Sequence, residues 1–67
     1  MFGTITAIRV DKHFGFIRCD VGGPDAFFHK SDIDPGLDFD ERLEEQRVEF
    51  TATQTEKGLR ARNVRPA

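Results

Sequence analysis

The sequence predicts an all-β domain closed into a small five-stranded antiparallel barrel. Five runs rich in β-branched and aromatic residues, at 2–10, 14–20, 26–30, 47–55 and 59–65, are separated by turn-forming stretches. At 67 residues the chain is expected to be one domain, 1–67, near the size at which a single core barely supports folding. An open sheet of this size would leave exposed edges, which closure removes.

The first strand, "FGTITAIRV", alternates loosely and is rich in β-branched types. Asp11-Lys12-His13 is a polar turn into the second strand, 14–20. The glycines and proline of "VGGPD" form a hairpin loop to the third, 26–30. Ser31-Asp32-Ile33 reads as a short helical turn with Ser31 as its local cap. The segment 34–46 is the least strand-like part: Asp34-Pro35-Gly36 is a turn, and "FDERLEE" fits one helical turn or a loop. The fourth strand, 47–55, alternates cleanly, with Val48, Phe50 and Ala52 on one side and Arg47, Glu49, Thr51 and Thr53 on the other. Glu56-Lys57-Gly58 turns the chain into the fifth, whose apolar residues are Leu59, Ala61 and Val64. There are no internal repeats, low-complexity segments or linkers.

No apolar run approaches the roughly 20 residues that span a membrane. Met1-Phe2-Gly3-Thr4 is not a basic region followed by an apolar stretch, so no secretory signal and a cytoplasmic location are expected. Cys19 is alone, which excludes an internal disulfide and a cysteine-based zinc site, and it suits a core position. His13 and His29 have acids nearby but no nucleophile or metal framework, so catalysis, metal ligation and a cofactor are not expected. The net charge of −2 is unevenly spread. Seven acids crowd 34–49 against Arg42 and Arg47, whereas 57–65 carries Lys57, Arg60, Arg62 and Arg65 with no acid.

The decisive question is which way the aromatic rings of strands two and three point. In a strand, residues two apart share a face. In 14–20 the inward set is either Phe14, Phe16 and Arg18 or Gly15, Ile17 and Cys19. Arg18 is costly to bury, so the second set goes inside. In 26–30 parity alone is ambiguous, but Asp25 shares the parity of Phe27 and His29 and tips that set outward. Ile17, Cys19, Ala26 and Phe28 then fill the core, and Phe14, Phe16, Phe27 and His29 form a cluster on the outer face. Burying one Phe is worth about 1.5–3 kcal/mol, so three rings in water forgo about 5 kcal/mol. Small domains have only roughly 5–15 kcal/mol of stability. An exposed apolar cluster therefore marks an interaction site.

Planar rings serve stacking. A nucleobase stacked on an aromatic side chain contributes about 1–3 kcal/mol whatever its identity, and stacking needs unpaired bases. Lys12 and Lys30, at the two ends of the aromatic strands, are placed to meet phosphates, joined by Lys57, Arg60 or Arg62 from the last hairpin.

These residues resemble the cold-shock domain family. "KHFGFI" is similar to that family's "KGFGFI" ribonucleoprotein motif, and "DAFFHKSDI" to its second motif, "DVFVHxSxI". The opening "GTI", the "QRVEF" strand and the closing "KGLRARNV" resemble its first, fourth and fifth strands, so the likeness covers essentially the whole chain. The resemblance implies an OB-type Greek-key barrel that binds single-stranded RNA or DNA. It implies base stacking by Phe14, Phe16, Phe27 and His29, with Lys12 near the backbone.

The departures narrow that expectation. Where the family has "KWFN", this chain has Thr6, Ala7, Ile8 and Arg9, so a stacking tryptophan, its neighbouring phenylalanine and a lysine are replaced. His13 stands where a glycine is usual, which either alters the turn or extends the platform. Lys30 takes a position that is often aromatic. The family's "EEGQ" appears as "EEQ", and Phe39 or Leu37 is left to replace a loop aromatic. A narrower platform and weaker binding are expected, each lost stacked base removing about 1–3 kcal/mol. The reading is a low-specificity single-strand binder, such as an RNA chaperone or a regulator of transcription or translation. A protein-interaction barrel with weakened nucleic-acid affinity is the alternative, motivated by the net acidity and missing tryptophan. Neither a membrane nor a small-molecule substrate is implied. A monomer is expected, with strand exchange into a dimer open to so small a barrel.

Overall fold

A computed structural model describes all 67 residues. Five strands, β1 (Phe2–Arg9), β2 (Phe14–Cys19), β3 (Ala26–His29), β4 (Arg47–Thr55) and β5 (Gly58–Pro66), form a closed barrel in the order β1-β2-β3-β5-β4. The β1–β2, β1–β4, β2–β3 and β4–β5 pairs are antiparallel. The remaining seam corrects the antiparallel expectation: β3 and β5 run parallel, paired at Phe27 and Arg60, with an isolated parallel bridge between Ile33 and Val64. Parallel strands need a long crossover between them, and residues 30–57, which include all of β4, supply it.

The interior follows the parity of strands two and three. Ile17, Cys19, Ala26 and Phe28 are buried with Ile5, Ile8, Leu43, Val48, Phe50, Ala61 and Val64. Burial raises the Cys19 thiol above its ordinary value, with Asp25 and Asp20 adding to the shift, so it stays protonated as a core filler.

Two strands depart from simple alternation. In β1, Ile5 faces Ile17 and Ala7 faces Phe16, so an extra residue is inserted between them. Buried positions accordingly step from Ile5 to Ile8 rather than to Ala7. In β5, Arg62 faces Thr51 and Arg65 faces Glu49, and Asn63 in between has φ 53°. Ala61 and Val64 are thereby both buried although they are three apart.

Shorter boundaries correct several ends. Val10 leaves β1 to begin a 3₁₀ turn, Val10–Lys12, which His13 closes in the left-handed conformation. Asp20 lies beyond β2, and Lys30 begins a second turn, Lys30–Asp32. That turn is capped by His29 rather than Ser31. The His29 ring nitrogen accepts from the Ser31 amide at 3.2 Å, and the Asp32 carboxylate accepts from the His29 amide at 2.9 Å. "FDERLEE" resolves to a third turn, Glu41–Leu43, with Asp40 accepting from the Arg42 amide at 2.8 Å.

Candidate functional site

Strand register places the outer-face side chains in rows, because residues directly opposite in neighbouring strands project to the same side. One row runs Arg9, Phe14, His29 across β1, β2 and β3. The next runs Ala7, Phe16, Phe27, Arg60 and Thr53, crossing all five strands. Phe14, Phe16 and Phe27 pack on one another with ring centroids 5.5–5.9 Å apart. Each is half-buried, so their exposure forgoes less than the full transfer energy that three free rings would. The packing also fixes the rings, since each is braced by two others.

Gly15 explains how β2 comes so close to the core. A Cβ there would lie 2.7 Å from the Ala7 carbonyl oxygen and 2.8 Å from Cζ of Phe28. The glycine lets the Phe28 ring and the Ala7 carbonyl pack directly against the β2 backbone between Phe14 and Phe16.

The other sequence-predicted residues are distributed around this platform. Lys12 and Lys30 are exposed in their turns, and neither is ion-paired. His13 is exposed and meets Phe39 edge-on at 6.5 Å rather than joining the three rings. Phe39 also packs against core Phe28 at 6.3 Å, so it, more than Leu37, brings a loop aromatic to this side. Lys57 and Arg60 line a groove of about 700 Å³ beside Phe16 and Phe27.

Arg60 differs from the expectation of a free phosphate contact. Its Nε and Nη2 donate to Asp32 Oδ2 at 3.2 and 2.9 Å, and its guanidinium carbon lies 5.9 Å from the Phe27 ring centroid. Asp32 is buried, and the same oxygen accepts from the His29 amide. A buried carboxylate with three donors is well compensated, and the pair clips the single-residue β3–β5 seam.

Sequence reasoning missed Arg9, Arg18, Asp32, Glu56 and Leu59. Arg18 was legible: it shares the parity of Phe14 and Phe16, so excluding it from the core puts it on the platform's face, opposite Thr4. Arg9 depends on the β1 bulge, and Asp32 finds Arg60 only through the parallel seam. Ile8, one of the two first-strand positions where an aromatic of the family is replaced, points into the core. Only Ala7 therefore leaves a gap on the platform, next to Phe16.

A five-stranded OB-type barrel with a cluster of packed rings outside its second and third strands is the architecture of a nucleic-acid-binding module. Residues 1–67 match the family model described as the 'Cold-shock' DNA-binding domain. The chain is 45% identical over 65 residues to cold shock protein ScoF of Streptomyces coelicolor, covering 97% of this chain and 96% of that one. It is 47% identical over 64 residues to cold shock-like protein CspA of Stigmatella aurantiaca, covering 94% and 91%. The structure of Drosophila Unr CSD456 superposes with a TM-score of 0.77 at 30% identity. That match covers 98% of this chain and 26% of the Unr chain. The chain belongs to the cold-shock domain family, a family of nucleic-acid-binding proteins rather than enzymes.

Proposed function

We propose that this protein binds single-stranded RNA or DNA by stacking unpaired bases on Phe14, Phe16, Phe27 and His29. The observation that carries the reading is the mutual packing of three rings on the outer face of β2 and β3, half-exposed with the core already filled beneath them. Phe has no hydrogen-bonding group, so these stacks tolerate any base. Lys12, Lys30 and Lys57 rim the platform and meet backbone phosphates, with His13 at its edge. Trapping unpaired stretches in this way suits an RNA chaperone or a regulator acting on a transcript. Ala7 makes the platform one ring narrower than that of a relative with tryptophan there.

The test is fluorescence anisotropy with a labelled oligo-dT or oligo-U of about seven nucleotides, within the site size of such barrels. Wild type binds at low salt, and Phe16→Ala weakens binding by about 1–3 kcal/mol. Absence of binding at high micromolar protein, or equal affinity of the variant, overturns the reading. An amide chemical-shift map locates the contact: perturbation at 14–17 and 27–30 accords with stacking, and silence there leaves a protein-interaction barrel.

A further inference from the structure

Arg60 lines the groove beside Phe16 and Phe27, and its pairing with Asp32 behind changes what it can do. A guanidinium has five N–H donors in a rigid fork. Asp32 Oδ2 engages Nε and Nη2, which neutralises much of the charge and fixes the plane against Phe27. Nη1 and the second Nη2 hydrogen, which together form a two-donor edge, have no protein acceptor. The arginine side chain keeps 32% of its exposure, whereas that of Asp32 keeps 6%. The same groove is lined by Glu56 of the β4–β5 turn, whose carboxylate has no hydrogen bond or ion pair in the protein. The groove thus offers an aromatic wall, a fixed pair of donors and a free carboxylate acceptor.

Guanine matches that set. Its O6 and N7 accept from an arginine fork, the commonest specific arginine–base contact, and its N1–H and exocyclic amine are donors suited to a carboxylate. Adenine and cytosine present an amino donor where guanine presents O6, and thymine or uracil has no second acceptor beside O4.

We infer that Arg60, positioned by Asp32, is a base-reading residue that gives one position of the bound strand a preference for guanine, with Glu56 accepting from its N1–H and exocyclic amine. This rests on the stacking function above, and makes one position selective within an otherwise tolerant platform.

The experiment compares oligo-dT of about seven nucleotides with versions carrying one dG, dA or dC at each position in turn, using anisotropy at several salt concentrations. For wild type, dG at one position is expected to bind about five- to tenfold tighter than dA or dC there, the low end of a bidentate contact. Arg60→Gln and Arg60→Lys both lose this preference while leaving the salt slope unchanged, because the paired charge was not meeting phosphate. Asp32→Asn also loses it but steepens the slope by up to about 0.7, as a freed cation finds a phosphate. Glu56→Gln reduces the preference without abolishing binding. Circular dichroism confirms that each variant is folded. A position-independent profile for wild type, or a preference that survives Arg60→Lys, overturns the inference, as does a salt slope that falls in Arg60→Gln. Failure of every oligonucleotide to bind would instead overturn the stacking function itself.

Discussion

Gly15 is the residue on which core and platform meet, and it is the only inward position on β2 without a side chain. Adding a methyl group forces it into the Phe28 ring and the Ala7 carbonyl. Gly15→Ala is therefore expected to lower stability by about 1–3 kcal/mol through overpacking. Because the chain has neither Trp nor Tyr, urea unfolding is followed by circular dichroism. An unchanged midpoint would show that the barrel can widen there. Glu45 poses the opposite case. Its φ is 71°, and its amide donates to the Ile5 carbonyl at 2.8 Å, so the "EEQ" segment keeps a left-handed turn without a glycine. That conformation disfavours a β-carbon by about 1–2 kcal/mol, partly offset by the roughly 0.5–1 kcal/mol entropic disadvantage of glycine. Glu45→Gly is expected to raise the melting temperature by about 2–4 °C, a result that a fall in Tm would refute. His13, at φ 62°, is a second non-glycine residue in the left-handed conformation, at the platform's edge. There the turn is preserved and the side chain lies against Phe39, which answers how a histidine is accommodated where a glycine is usual.

At the scale of elements, what the sequence made legible depended on whether a strand was regular. In β2 and β3 the two-residue period runs unbroken, so excluding Arg18 and Asp25 from the core was enough to orient every ring. In β1 and β5 an inserted residue reverses the parity midway, and neither "TITAI" nor "ARNV" carries a local sign of it beyond asparagine's tolerance of positive φ. The parallel β3–β5 seam was equally hidden, since it follows from closing the barrel around the whole chain rather than from either segment. The β1 bulge has a functional consequence: it turns Ala7 outward beside Phe16 and sends Ile8 inward. Ala7→Trp should therefore restore a stacking surface on an existing row without disturbing the core. Oligo-dT affinity is expected to increase by about 1–3 kcal/mol, and the single indole should be quenched on binding. No gain in affinity, or an indole insensitive to the oligonucleotide, would place Ala7 off the path of the strand. Ile8→Phe, by contrast, enlarges a buried side chain and should alter stability rather than affinity.

For the molecule as a whole, charge is partitioned between structural pairs and free cations. Arg47 grips Asp20 through two hydrogen bonds of 2.6 Å, tying the start of β4 to the end of β2. The Arg47 side chain holds Asp20 below its ordinary value. Stability from this pair is complete above the unfolded carboxylate value of about 3.9 and is lost as pH falls through the lower folded value. Asp20→Asn should flatten the acid limb of the stability profile below about pH 4, measured by thermal melts; an unchanged limb would show that the pair is solvent-screened. Arg42, Arg60 and Arg65 are likewise paired, with Asp40, Asp32 and Glu49. Arg9, Lys12, Arg18, Lys30 and Lys57 remain unpaired on or around the aromatic face, while acids concentrate in 34–49. A chain with net charge −2 can thus attract a phosphate backbone locally while repelling it elsewhere. Each neutralised phosphate of a single strand contributes about −0.7 to the slope of log K against log salt. Three to five contacts give a slope between about −2 and −3.5, or roughly 20- to 100-fold weaker binding between about 50 and 200 mM salt. Lys57→Ala should remove about 0.7 of that slope, whereas the charge of Arg60 is already answered by Asp32. A slope near zero would leave stacking alone to hold the strand, and one well beyond −4 would mean that electrostatics, not the rings, dominates binding. The intermediate value is what a platform of three braced rings and a sparse cationic rim requires.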